Sequence, residues 1–206
     1  MAWPLATTSA TMAMVLAIFC TTLPARADGI VLDADRTQIA FHLDSTLHEV
    51  EGTAHLSSGN VAFNPETGVM RGRVVVDARS LETGNGLRDR SMQKKVLESE
   101  RYPTIAFLPE TFEAGPTVDG VAPVVLRGEL EIHGAKHPFE IRTRVALQGE
   151  EAHVEARFVI PHVAWGMRDM SNFLLHVDEQ VTVEIDAVGR IVRHGEPAGE
   201  RSSGSS

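Results

Sequence analysis

The chain has 206 residues, 43% of them hydrophobic but only 5% aromatic, and a formal charge of −9. That length and apolar content exclude a disordered chain and fit one domain with a full core, or at most two small ones. Nineteen Lys and Arg against 28 Asp and Glu argue against nucleic acid as a partner, which needs a concentrated positive surface.

Met12 to Leu23 is mostly apolar, too short to cross a bilayer comfortably, and is followed by Pro24 and Ala25-Arg26-Ala27. Small residues at the third-last and last positions suit a signal peptidase, so residues 1–27 are expected to be a signal peptide cleaved before Asp28. Cleavage removes Arg26 alone among charged residues and takes the balance from −9 to −10. It also removes Cys20, the single cysteine, so the mature chain has neither a disulfide nor a thiol nucleophile. Lipid modification of Cys20 is disfavoured by the large Phe19 where a lipoprotein signal takes a small residue. The expected product is exported, soluble and acidic, without stable insertion in a membrane.

From Gln38 onward apolar and polar residues alternate with the period of a half-buried strand. Ile39, Phe41 and Leu43 share one face, while Ala40, His42 and Asp44 share the other. The pattern returns at Val61 and Phe63, Val74 and Val76, Ile105 and Phe107, and Leu126 to Ile132. It continues through Phe139, Ile141, Val145 and Leu147, then Val154 to Ile160, and last Val181, Val183 and Ile185. Gly- and Pro-bearing turns separate these runs, notably Asn64 to Gly68, Glu113 to Gly120, His133 to Lys136 and Gln148 to Glu150, as in an antiparallel meander. About eight strands with one apolar face must close into a barrel or fold into a tight sandwich. Gly86 to Arg101, with Leu87, Met92, Val96 and Leu97 near helical spacing and Pro103 just after, predicts one amphipathic helix near 87–100. Arg168 to Leu175 is expected to form a further short helical turn. The expected domain spans 28–188, and the Gly- and Ser-rich segment 189–206 is expected to be a disordered tail.

Catalytic signatures are sparse. There is no Gly-x-Ser-x-Gly elbow. Gly84-Asn85-Gly86 lacks the rest of a phosphate-binding loop and suits a turn before the helix. The nine histidines form no cluster with three or four ligands at metal-site spacing, and His133 and His137 flank a turn between strands. Glu49 and Glu51, like Glu129 and Glu131, sit two apart on an outer face, where alternation already places charge. No metal or catalytic residue is therefore assigned.

The order of segments carries more information than any one of them. Thr83-Gly84-Asn85 with Arg88-Asp89, then Tyr102 to Phe107, then Gly128 to Gly134 with Pro138, resembles the YceI-like family of polyisoprenoid-binding proteins. Val50-Glu51-Gly52 and Ser58 to Phe63 resemble its early strands, and Trp165-Gly166-Met167 and Val181 to Ile185 its last ones; the likeness runs from about Asp33 to Ala187. It implies an all-β, extended, lipocalin-like antiparallel barrel in the bacterial periplasm, with a long apolar bore holding an isoprenoid lipid or isoprenoid quinone and no other cofactor. The chain departs from the family pattern at Ala54 and at Ser91 to Leu97, where members often carry Phe. In this reading Phe41, Phe63, Val76, Ile105, Phe107, Ile141 and Phe158 line the bore, Met92, Val96 and Trp165 sit near its entrance, and Arg88 and Asp89 lie near a polar head group. For each lining residue the competing role is plain core packing; for Arg88 and Asp89 it is an ion pair fixing the helix start. Two other functions stay open: an enzyme acting on a lipid or small acid in the same pocket, and an envelope protein-interaction module. So does pairing of two barrels into a homodimer.

Overall fold

The protein was analysed as a computed structural model, described over residues 28–45, 49–171 and 177–193. Alternation of the kind just described produces β1 (Asp28–Leu32), β2 (Gln38–Leu43), β3 (Val50–Phe63), β4 (Met70–Glu82), β5 (Thr104–Ala114), β6 (Val121–Ile132), β7 (Ala135–Gln148), β8 (Glu151–Ile160) and β9 (Val181–Val192), with one helix, α1 (Gly86–Lys95), between β4 and β5. From β3 to β9 each strand pairs antiparallel with the next. The ring closes because β1 and β2 each pair with both β3 and β9. Ile30 lies between Val61 and Ile191, and Phe41 lies between Gly52 and Val183. The two strands are thus halves of one stave, broken at Asp33 to Thr37, in an eight-position closed barrel. Closure leaves no sheet edge to cover.

The inward residues form one apolar cluster that includes Ile39, Phe41, Leu56, Phe107, Leu130, Ile141 and Val183. The outer face carries a belt of cross-strand ion pairs: Arg127 to Glu113 at 2.8 Å and to Glu140 at 3.1 Å, Lys136 to Glu129 at 2.9 Å, and Arg157 to Glu184 at 2.9 Å. Solvated pairs of this kind add little to stability, but opposite charges across neighbouring strands favour one register over its slips.

Several expectations change. β1 precedes the point at which alternation becomes visible. β9 runs to Val192, so Gly189 to Val192, assigned to a disordered tail, are strand; there Gly189 pairs with Leu32 and Ala152. The signal segment and the rest of the tail lie outside the described residues. α1 stops at Lys95 instead of reaching Arg101: Val96 and Leu97 both donate to Met92 O at 3.0 Å, and Glu98 turns left-handed at φ 45°. The stop lets Leu97 bury against Ile132 and Met167. Leu87, placed on the apolar face of the helix, is instead 75% exposed. Arg168 to Ser171 are not helical, and the remainder of that expected turn falls outside the described residues.

Candidate functional site

The inward faces enclose a continuous cavity of about 1190 Å³ that runs the length of the barrel. Ile30, Phe63, Met70 and Phe112 wall the hairpin end; Ala54, Phe107, Leu126 and Ile185 line its course; Leu81, Met92, Ile160 and Met170 wall the helix end. Strand geometry explains why: residues two apart point the same way, so each inward row contributes side chains at successive heights. Small residues leave the lumen open, with Ala54, Ala156 and Ala187 all on the wall. Phe41 packs its ring over Gly52, where a Cβ would run into that ring and the Glu82 carbonyl.

The wall is polar chiefly at the helix end, where Ser45, Thr83, Asn85, Arg88, Ser91 and His162 face the cavity. Asn85 caps α1, its side chain accepting from Leu87 N at 3.1 Å and Arg88 N at 3.2 Å. Thr83 ties the helix start together: its N and Oγ1 donate to Asp89 Oδ1 at 2.9 and 2.5 Å. Arg88 Nε in turn donates to Thr83 Oγ1 at 2.7 Å, and Nη2 to Thr83 O at 3.0 Å. Gln93 Nε2 pins the helix to β4 through the carbonyls of Ala78 at 3.1 Å and Leu81 at 2.9 Å. His162, after β8, is buried, and burial pushes its imidazole below the usual histidine range against the opposing charges of Asp169, Asp178 and Glu179. Its Nδ1 has no hydrogen-bond partner among the described residues.

A family model for the YceI-like domain matches residues 31–189. The chain belongs to the YceI-like family. No curated protein matches it. Among solved structures, BcnA of Burkholderia cenocepacia superposes with a TM-score of 0.59 at 15% identity, covering 76% of this chain and 98% of that one. A polyisoprenoid binding domain from Saccharophagus degradans, described as implicated in plant cell wall breakdown, gives 0.61 at 18% identity, covering 78% and 97%. At these identities the likeness establishes the barrel alone.

Within this YceI-like barrel, Phe41, Phe63, Val76, Arg88, Met92, Val96, Ile105, Phe107, Ile141 and Phe158 all reach the cavity wall. Two residues expected at the site do not. Asp89 is turned to Thr83 and anchors the helix start. Trp165 does not line the cavity: it stacks on His137 at 4.1 Å and meets Phe139 edge-on at 5.7 Å. His162 and Ser45 were not singled out from sequence; they lie just past the ends of β8 and β2, where strand periodicity carries no facing. Outside the bore, His42, Glu49 and Glu51 bring their ligand-type atoms within 4.8 Å of one another on the outer face of β2 and β3. Among the described residues no helix is long and apolar enough to cross a membrane.

Proposed function

We propose that this protein is an exported, periplasmic binding and carrier protein for a long aliphatic lipid of the isoprenoid or isoprenoid-quinone class, released from a leader cleaved before Asp28. The observation that carries the reading is the bore: one apolar lumen of about 1190 Å³ through the whole barrel. It exceeds the roughly 300–1,000 Å³ of ordinary small-molecule pockets. A small acid would leave most of it empty, whereas a slim chain fills it end to end. Each methylene withdrawn from water contributes about 0.8 kcal/mol, so four more buried methylenes tighten binding by roughly two decades. Family membership and the likeness to a domain named for polyisoprenoid binding support the same class. The reading assigns no catalytic group, because a carrier needs enclosure and a way out and no bond is made or broken.

The test is to isolate the protein from the periplasm and identify any co-purified lipid by native mass spectrometry, then add isoprenoids to delipidated protein. A bound prenyl lipid and a thermal shift are expected. An empty barrel that no isoprenoid stabilises would overturn the proposal.

A further inference from the structure

On the outer wall of the barrel, strand carboxylates are answered by cations: Glu113 and Glu140 by Arg127, Glu129 by Lys136, Glu131 by Arg73 and Glu184 by Arg157. Glu49 and Glu51, at the start of β3, break this pattern. Among the described residues no Arg or Lys forms an ion pair with either of them. What faces them is an imidazole. His42 Nδ1 stands 3.6 Å from Glu49 Oε1, and one ligand-type atom from each of His42, Glu49 and Glu51 lies within 4.8 Å of the other two.

Strand register builds this group. Phe41 and Leu43 line the lumen, so His42 between them projects outward. In the antiparallel pairing of β2 with β3, His42 lies directly opposite Glu51, where side chains are close neighbours. Glu49, two residues before Glu51, shares its face and completes the triangle from one side. On the other side His42 is paired with Thr182 of β9, which brings no charge to compete. Ligands of a tetrahedral zinc, each about 2.0–2.2 Å from the metal, lie roughly 3.4 Å from one another. The His42–Glu49 spacing is therefore already that of a metal pair, and small side-chain rotations close the rest.

We propose that His42, Glu49 and Glu51 form a binding site for a divalent first-row transition metal ion of the zinc class on the outer wall of the barrel. Two carboxylates held this close repel each other, and a divalent cation between them removes the repulsion. The imidazole sets the class of ion: one nitrogen and two carboxylate oxygens suit zinc, whereas calcium and magnesium take oxygen ligands and gain little from His42. Three protein ligands leave a fourth position for water, as in open zinc sites. The ion also has a structural consequence, because the pairing of β2 with β3 begins at Leu43 and Val50 and leaves Glu49 beyond it. Coordination ties Glu49 back to β2. The site lies outside the lumen, so it stands independently of the lipid-binding reading.

The experiment titrates zinc chloride into untagged, chelator-treated protein at pH 7.5 by calorimetry, with magnesium and calcium chloride in parallel. Zinc is expected to bind about tenfold or more tightly than either and to raise the melting temperature by mass action. His42→Ala and Glu51→Gln should each weaken zinc binding about tenfold or more and abolish most of that rise. Their metal-free melting temperatures should stay within about 2 °C of the unaltered protein, since all three side chains are at the surface. His153 is the control: it also lies beside a carboxylate, Glu151 at 3.8 Å, but Glu151 is taken by Arg36, so His153→Ala should leave zinc affinity unchanged. Three results overturn the site. They are no saturable zinc binding below about 1 mM, zinc binding that survives His42→Ala or falls equally in His153→Ala and so reports adventitious uptake, and magnesium or calcium bound as tightly as zinc, the behaviour of an acidic patch alone.

Discussion

Placing a charge half-way along the bore separates a binding cavity from a packing defect. Phe107 sits on β5 between Val74 of β4 and Leu130 of β6, is 8% exposed and lines the lumen. Phe107→Glu removes the ring and puts a carboxylate on an otherwise apolar stretch of wall. In the unliganded barrel water can reach that carboxylate, so the fold loses chiefly the ring's burial, about 2–3 kcal/mol. A lipid tail passing the same point must strip the water from the carboxylate or force it to take up a proton. Isolated ionised groups resist apolar surroundings by several kcal/mol, and even about 3 kcal/mol weakens binding more than a hundredfold. Titration with a fluorescent long-chain probe at pH 7.5 measures the loss, and a cooperative melt shows that the variant is folded. Because apolar surroundings raise a carboxyl pKa, lowering the pH to about 5 should restore part of the affinity. Phe107→Leu should bind within about fivefold of the unaltered protein, as a volume-tolerant change. A folded Phe107→Glu protein that binds within about threefold at pH 7.5 would refute the placement of the tail in the bore.

Other consequences separate stability from binding. Asn85→Ala deletes the cap of α1 and should cost about 1 kcal/mol, a fall of about 2–4 °C in melting temperature for a domain of this size. Trp165→Ala removes a ring packed on His137 and Phe139 but absent from the cavity wall. It should cost about 2–3 kcal/mol by chemical denaturation and leave probe affinity within about threefold. The lowered pKa of His162 sets a sign for acid sensitivity. The unfolded chain takes up the proton first, so the contribution of the neutral imidazole is complete above about pH 6.5 and is lost as pH falls through the lower folded value. Melting temperatures compared between pH 7.5 and 5 should therefore drop further in the unaltered protein than in His162→Asn; equal drops would contradict the burial argument.

What could be read from sequence follows from what periodicity measures. Ile39, Phe41 and Leu43, or Val181, Val183 and Ile185, alternate cleanly because one face meets the lumen and the other water, and all six reach the cavity wall. β1 was hidden because Ile30-Val31-Leu32 is an unbroken apolar run, with Val31 turned outward and 39% exposed. The end of α1 was hidden because Leu97 keeps helical spacing in sequence while the chain has already turned at Glu98. Periodicity also cannot tell an inward residue that lines a void from one that a loop covers. Phe139 shares the face of Ile141, yet Trp165 lies against it, and Ile141 alone reaches the cavity. Arg88 shows the limit from the other side: the ion pair expected to fix the helix start is not among the ion pairs of the described residues, and Thr83 takes both side chains instead, accepting from Arg88 and donating to Asp89, while Arg88 still reaches the lumen.

The low aromatic content acquires a physical meaning once the wall is known. Five of the eight phenylalanines, Phe41, Phe63, Phe107, Phe112 and Phe158, face the lumen, while Tyr102 and Trp165 stand outside it against His133 and His137. Phe brings bulk without a hydrogen-bonding tip, whereas Tyr and Trp would have placed a hydroxyl or an indole N–H along the path of the chain. Between the polar ends, the wall offers Thr143 as a hydroxyl, and that hydroxyl already donates to Val124 O at 3.0 Å. The middle of the bore therefore distinguishes ligands by width and length and gives no register along the chain. Whatever fixes a lipid's position and direction must act at an end, and among the described residues the helix end is where the wall carries its charged side chain, Arg88, and the buried His162.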